Sequence, residues 1–229
     1  MLFDLAVIAQ LSAAEVAALS KGTSAGPILG AALRVLDTRH PSPERLIDVG
    51  CGAGDLFRAL GSRARSYVGV DLVQYEGFPL QSGARFVLAD LNARIPLDDA
   101  RADAVVSVET IEHLENPRAF MRELVRLARP GGLVLVTTPN QLSLLSKLTL
   151  VVKNRFNAFT DVDYPAHITA LLESDLRRIA SECGLKDVQV AFTNSGRIPG
   201  TAWSWPGALG FGGKVFSDNL VLSGFKPSS

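Results

Sequence analysis

A cluster of titratable side chains follows an apolar run in the stretch VSVETIEHLENP, residues 106–117. Glu109, Glu112 and His113 have the spacing E-x-x-E-H directly after this run. A histidine here is suited to removing a proton from a substrate, because its ordinary pKa lies near neutrality. We therefore consider three interpretations: His113 is a general base supported by the two glutamates, the three residues bind a metal, or they only order a loop. We favour the first.

The metal interpretation needs a further ligand from elsewhere in the chain. Two carboxylates and an imidazole suit Mg²⁺, Mn²⁺ or Zn²⁺. His167, in the stretch YPAHIT, is the distant candidate, because His40 precedes the first predicted strand. The predicted metal set is therefore Glu109, Glu112, His113 and His167.

A glycine-rich loop stands in the stretch LIDVGCGAGDL, with Gly50, Gly52 and Gly54. Glycine is needed where the backbone turns tightly or approaches a ligand closely. A nicotinamide-binding loop would have the pattern G-x-G-x-x-G, and Asp55 occupies the place of its third glycine. Asp48 would also repel a pyrophosphate, so the loop suits a cationic ligand better.

Two further acids end the next two predicted strands. Asp71 follows the run YVGV, and a carboxylate there can accept hydrogen bonds from ribose hydroxyls. Asp90 ends the run FVLA and can accept a hydrogen bond from an adenine amino group, although it can also simply cap a turn. The apolar neighbours Leu72 and Leu91 complete the predicted cofactor site.

These residues lie in a pattern of alternating short strands and helices that begins near Arg45. Such alternation predicts a mostly parallel sheet with helices on both faces, and its ligands bind beyond the carboxyl ends of the strands. The predicted strands are 46–49, 67–70, 86–88, 104–108, 133–137, 188–192 and 219–225, and the helices between them are 55–61, 117–129 and 174–183.

Together these motifs resemble the class I S-adenosylmethionine-dependent methyltransferases. The matching stretches are LIDVGCGAGDL, YVGVDL, LADLN, DAVVSVETIEHLENP and LARPGGLVLVTTPN, which cover roughly residues 45–140. The resemblance implies a Rossmann-like seven-stranded sheet with the last strand antiparallel. It also implies that the glycine loop holds the amino-acid part of S-adenosylmethionine, that Asp71 binds its ribose, and that Asp90 binds its adenine.

The segment ETIEHL is similar to that of two metal-using groups, the ubiquinone-biosynthesis O-methyltransferases and the small-RNA 3′-terminal 2′-O-methyltransferases. It also resembles many bacterial methyltransferases of small molecules, sugars and lipid-linked glycans. We therefore expect methyl transfer to a hydroxyl of a small-molecule, sugar or lipid-linked acceptor. Methylation of nitrogen or carbon, and a cofactor-binding module without catalysis, stay open as alternatives, whereas Asp48 and Asp55 disfavour a nicotinamide oxidoreductase.

The amino-acid composition limits the binding partners and the cellular compartment that we expect for this protein. The 229 residues carry 23 basic and 23 acidic side chains, so we expect no nucleic-acid partner. The two cysteines, Cys51 and Cys183, predict no disulfide framework, and a cytoplasmic location without a signal peptide is expected. Residues 1–40 are predicted to form a helical N-terminal cap and residues 41–229 the methyltransferase domain, with a lid insertion at about 141–172.

The lid contains an apolar stretch, Leu142–Val152, that is too short to span a bilayer. We predict a helix here that packs on the core through five apolar side chains: Leu144, Leu145, Leu148, Val151 and Val152. The alternative is an apolar substrate wall or a peripheral membrane contact through residues 142–155, flanked by Lys147, Lys153 and Arg155.

Overall fold

The computed structural model describes residues 12, 15–16, 22–201, 203–206 and 210–228. Most of the predicted N-terminal cap before residue 22 therefore lies outside the described residues. Ser12 and Glu15 show reciprocal capping contacts, since the Ser12 N–H donates to Glu15 Oε2 and the Glu15 N–H to Ser12 Oγ. The first full helix of the described chain, α1, spans Gly26–Arg39.

The centre of the fold is a seven-stranded sheet in the order β3-β2-β1-β4-β5-β7-β6. Strands β1 to β6 run parallel and β7 runs antiparallel to both of its neighbours, which confirms the predicted fold class. The strands are β1 Arg45–Val49, β2 Ser66–Asp71, β3 Arg85–Leu88, β4 Ala102–Ser107, β5 Ala128–Pro139, β6 Lys186–Phe192 and β7 Asn219–Phe225. The helices after α1 are α2 Asp55–Leu60, α3 Pro117–Leu127, α4 Leu144–Lys153, α5 Glu173–Glu182 and α6 Gly213–Phe216.

Both faces of the sheet are covered, as the continuous apolar strands require. On one face, α3 and α5 pack Phe120, Leu124 and Leu176 against the strands. On the other face, α1 and α2 contribute residues such as Leu36 and Leu60. All six residues of β4 are buried, so its carboxyl end delivers the following polar segment into the interior of the protein.

Helix α3 begins at the predicted residue but ends before the predicted one. The Asn116 side chain accepts a hydrogen bond of 2.9 Å from the Ala119 N–H, and Pro117 occupies the first turn, where its missing N–H costs nothing. The predicted end at Arg129 is wrong, because Ala128 already has extended backbone and begins β5.

The lid helix α4 does not pack as predicted. Its fully buried residue is Ser146, whereas Leu148, Val151 and Val152 are exposed. The prediction that these three apolar side chains pack on the core is therefore wrong, while Leu144 and Leu145 are half-buried. Within the described residues, no helix has the length and apolar character needed to cross a bilayer.

Candidate active site

The glycine loop joins β1 to α2 and needs glycine for reasons of both conformation and space. Gly50, Gly52 and Gly54 all have φ in the left-handed region, at 82°, 49° and 87°. A Cβ on Gly50 would lie 2.0 Å from the Thr110 hydroxyl oxygen, and one on Gly52 would lie 2.2 Å from the Gly22 carbonyl oxygen. The loop is therefore held between the segment after β4 and the N-terminal segment, beside the predicted cofactor site.

Asp48 is buried near the end of β1, and one of its oxygens has no hydrogen-bond partner among the described residues. Its Oδ2 accepts a hydrogen bond from the Tyr67 hydroxyl, while its Oδ1 accepts none from the described residues. Burial raises the pKa of Asp48 to about 7, against the opposing effect of the Tyr67 hydrogen bond. A buried carboxylate oxygen left without a donor is costly, so this position suits a cation or a hydrogen-bond donor from a ligand.

Asp71 connects the glycine loop to the loop that follows β2. Its Oδ2 accepts the Gly52 N–H at 2.8 Å, and its Oδ1 accepts the Leu72 N–H at 2.7 Å and the Val73 N–H at 3.3 Å. Burial raises its pKa even though these three N–H groups favour the charged form. Oδ2, with one of its two lone pairs engaged, can still accept a hydrogen bond from a ligand hydroxyl.

A single cavity of about 960 Å³ brings the predicted cofactor residues together. The predicted residues on its wall are Asp48, Gly50, Gly52, Asp71, Leu72, Asp90 and Leu91. Gly54 is not among the lining residues and serves instead as the N-cap of α2. Asp90 is exposed, and its Oδ1 accepts the Asn92 N–H at 2.9 Å, as in an Asx turn.

Asp55 fastens the N-terminal segment over this cavity, a role that its sequence position did not reveal. Its Oδ2 accepts the Ser24 N–H at 3.0 Å, and the Ala53 N–H donates to the Gly22 carbonyl at 2.7 Å. Gly22 and Ser24 both line the cavity. The residue that breaks the nicotinamide-binding pattern is therefore part of the cavity's closure.

We expect Asp55→Ala to weaken the binding of S-adenosylhomocysteine by about threefold to tenfold, because a hydrogen bond that holds residues 22–24 over the cavity is lost. The control is Arg58→Ala, which removes the ion pair to the other Asp55 oxygen, 2.7 Å long, and leaves the Ser24 contact intact. Isothermal titration calorimetry measures both. Equal affinities for the two variants would contradict the assigned role.

The segment after β4 carries Glu109 in a left-handed conformation with φ 50°. The Glu109 N–H donates to Thr137 Oγ1 at 2.9 Å, and its Oε1 accepts the Asn219 side-chain N–H at 3.0 Å. Burial raises the pKa of Glu109 to about 7. The ends of β5 and β7 thus hold Glu109 at the cavity wall, which this glutamate also lines.

Glu112 is 0% exposed, and one of its carboxylate oxygens has no partner in the part of the chain that the structure describes. Its Oε2 accepts the Thr138 hydroxyl at 3.1 Å, while its Oε1 accepts no hydrogen bond from the described residues. Burial first, and then the nearby Glu109, raise the pKa of Glu112 to about 8. Its backbone carbonyl accepts the N–H groups of Ile168 and Thr169, which attaches the lid to this turn.

Two histidines from distant parts of the chain meet beside Glu112. The ring centroids of His113 and His167 lie 4.7 Å apart. His113 Nδ1 lies 2.8 Å from the Ala166 carbonyl oxygen, and His167 Nδ1 is bonded to the Ala158 carbonyl, so each Nδ1 carries the proton. Ligand atoms of Glu112, His113 and His167 all lie within 4.8 Å of one another.

The surroundings of His113 keep it uncharged. Burial first, and then the neighbouring His167, lower its pKa to about 4, against the carbonyls of Ala166 and Glu109. Glu109, the fourth predicted metal ligand, is not among the three residues that converge, and its Oε1 is engaged by Asn219. The structure thus brings three of the four predicted metal ligands together.

Sequence reasoning missed the residues that position this group. Thr137 and Thr138 come from the end of β5, and Asn219 begins β7. Two consecutive threonines at the end of a buried apolar strand were a usable signal, because such hydroxyls need partners. The carbonyls of Ala158 and Ala166 carried no signal, since any residue type supplies one.

Comparison with known proteins gives one family and a set of partial relatives. A family model described as "methyltransferase domain" matches residues 27–190. A probable S-adenosylmethionine-dependent methyltransferase of Mycolicibacterium smegmatis is 35% identical over 43% of this chain and 39% of its own length. A ubiquinone biosynthesis O-methyltransferase of Maricaulis maris is 30% identical over 47% of this chain and 45% of its own length. The alignments thus span less than half of each relative.

The fold also matches solved structures. A crystal structure of an S-adenosylmethionine-dependent methyltransferase of Thermotoga maritima superposes with a TM-score of 0.65, covering 92% of this chain and 91% of that one. The sequence identity is 17%, so this likeness concerns the fold alone.

Proposed function

Because this chain belongs to the methyltransferase domain family, we propose that it transfers the methyl group of S-adenosylmethionine to a hydroxyl of a small acceptor. The observation that carries the proposal is that the wall of one cavity includes Asp48, Asp71 and Asp90 as well as His113 and His167. A cofactor and an acceptor bound in this one space would meet without crossing solvent, as in-line transfer requires. The matched relative named as a ubiquinone biosynthesis O-methyltransferase supports an oxygen acceptor.

The chemistry of the cavity wall fits S-adenosylmethionine, which would supply an activated methyl group on a sulfonium. Asp48 Oδ1 offers a buried acceptor without a partner to the cation or the ammonium group. Asp71 would bind the ribose hydroxyls and Asp90 the adenine amino group, beside Leu72 and Leu91. The acids would also exclude an anionic pyrophosphate, which argues against a nicotinamide cofactor.

The three converging residues fit a divalent cation. Glu112 contributes an unpartnered oxygen, and both histidines direct Nδ1–H to a backbone carbonyl, the arrangement that leaves Nε2 to ligate. Glu112, His113 and His167 would hold the ion, which would lower the pKa of an acceptor hydroxyl. Without an ion, His113 Nε2 is the group placed to accept the hydroxyl proton, with Glu109 and Glu112 as supports.

The test of the function begins with calorimetry of the full chain against S-adenosylhomocysteine and NADH. We expect S-adenosylhomocysteine to bind and NADH not to bind, and the reverse would overturn the proposal. Labelled S-adenosylmethionine and a panel of phenolic, sugar and lipid-linked alcohols then test turnover. Binding without transfer to any acceptor would favour a cofactor-binding module, and label on nitrogen or carbon would replace the oxygen acceptor.

We expect the affinity for S-adenosylhomocysteine to fall as the pH drops below about 7, because Asp48 is then protonated and binding of the ligand's ammonium group must expel that proton. The decrease approaches tenfold per pH unit and disappears above the pKa. Asp48→Asn should bind more weakly at pH 8.5 and without this dependence, as measured by calorimetry between about pH 5.5 and pH 8.5. A wild-type affinity independent of pH would contradict the role of Asp48.

We expect a chelator to lower methyl transfer and Mg²⁺, Mn²⁺ or Zn²⁺ to restore it. The same ions should raise the unfolding temperature of the unliganded protein, since they bind the folded state alone. Glu112→Gln should remove this thermal shift, whereas Glu115→Gln, an exposed acid on the same cavity wall, should retain it. If the wild type kept full activity in the chelator and His113→Ala lost activity, only the role of His113 as a base would remain.

A further inference from the structure

The lid helix α4 presents its apolar residues to solvent. Leu148, Val151 and Val152 have the spacing i, i+3, i+4, so they share one face of the helix. Val151 is 84% exposed and Val152 is 76% exposed, whereas the buried position of the helix is Ser146. This is the reverse of a helix that packs on its own core, in which the apolar face is the buried one.

Three further exposed apolar side chains lie at the rim of the cavity, in the segment that follows α4. Val162 is 78% exposed, and Tyr164 and Ile168 are also exposed. All three residues line the cavity as well. A partner that covers the lid would therefore lie at the opening through which an acceptor enters.

The charges on the lid helix are basic. Lys147 and Lys153 are exposed and form no ion pair with the described residues, while Arg155 pairs with Asp161. The sequence from residue 142 to residue 155 contains no aspartate or glutamate. An apolar face flanked by unpaired lysines fits a surface that is apolar below and anionic above, as a bilayer with anionic headgroups is.

We propose that the lid surface, formed by Lys147, Leu148, Val151, Val152, Lys153 and Val162, docks on a membrane that contains anionic lipids. A second copy of the chain fits less well. An isologous contact would bring the same patch of both copies together, and unpaired lysines would face lysines. This inference goes beyond the proposed methyl transfer and does not require it.

Flotation with lipid vesicles tests the docking surface with the full chain. The wild-type protein should bind vesicles of phosphatidylcholine with phosphatidylglycerol, bind vesicles of phosphatidylcholine alone more weakly, and be released from the anionic vesicles by salt.

The variants test the two parts of the surface separately. In the double variant V151D/V152D, the partition coefficient onto vesicles should fall at least about tenfold. Lys147→Glu with Lys153→Glu should lose at least about fivefold for each lysine on anionic vesicles. Binding of S-adenosylhomocysteine should persist in every variant, which separates this proposal from the proposed function.

The controls make the same kinds of substitution at exposed apolar and basic residues outside the lid surface. Leu88→Asp changes an exposed apolar residue, 65% exposed, on β3 at the far edge of the sheet. Arg65→Glu with Arg122→Glu reverses two exposed cations outside the lid. Both controls should bind vesicles like the wild type. Absence of vesicle binding by the wild type, or equal loss in the lid variants and the controls, would overturn the proposal. So would a dimer in sedimentation velocity that V151D/V152D abolishes, without vesicle binding.

Discussion

Replacing His113 with alanine is expected to lower kcat by about 10²- to 10⁴-fold while the affinity for S-adenosylhomocysteine stays unchanged. His113 lies on the cavity wall next to His167, in the segment that follows β4, and β4 is the neighbour of the strand β1 that precedes the glycine loop. Its Nδ1 is fixed by the Ala166 carbonyl, so its Nε2 is the nitrogen available to an acceptor or to an ion. The loss should therefore appear in the chemical step, measured by single-turnover transfer of labelled methyl groups.

The matched control is His40→Ala. His40 follows α1 and is absent from the cavity wall, so its loss should leave kcat as in the wild type. Calorimetry with S-adenosylhomocysteine shows whether the His113 variant keeps its cofactor site. A His113→Ala enzyme with undiminished kcat would exclude both the base and the ligand role.

Replacing Gly50 with alanine is expected to lower the free energy of unfolding by about 3 to 5 kcal/mol, or the melting temperature by about 10 °C. Two costs combine at this position. The backbone φ of 82° disfavours any residue with a Cβ, and that Cβ would lie 2.0 Å from Thr110 Oγ1 and 2.6 Å from Thr110 Cγ2. Because Thr110 precedes the Glu112 turn, the clash should also displace the acceptor side of the cavity. Thermal unfolding and calorimetry measure both effects.

Gly77→Ala separates the two costs. Gly77 has a φ of 86°, and a Cβ there would meet nothing within 4 Å. In this variant the free energy of unfolding should therefore fall only by the conformational term, about 1 to 2 kcal/mol, and the affinity for S-adenosylhomocysteine should be unchanged. Equal destabilisation of the two variants would show that the contact with Thr110 does not require glycine at position 50.

The sequence alone was sufficient for the sheet and for placing the acids that we expect to bind the cofactor on one cavity wall. Apolar runs of four to six residues separated by amphipathic helices gave a parallel sheet, and the predicted last strand, Asn219–Phe225, matches the observed β7. The proximity of Asp48, Asp71 and Asp90 can be predicted from the local sequence pattern alone. Each lies within two residues of the carboxyl end of its strand, and the carboxyl ends of neighbouring parallel strands lie at one edge of the sheet.

Only the tertiary structure decided which residues meet beside His113. His167 reaches His113 because the Ile168 and Thr169 N–H groups attach the lid to the Glu112 carbonyl, while the Ala158 carbonyl within the lid holds His167 Nδ1. These backbone carbonyls are present in any sequence, so no pattern reveals the contacts. The sequence also did not determine which face of α4 is buried. Helical periodicity places Leu148 and Val151 on one face, but the same periodicity fits a face that packs on the core and a face that meets solvent. That choice depends on the packing free energy of the whole chain, in which Ser146 rather than the leucine and valines is buried.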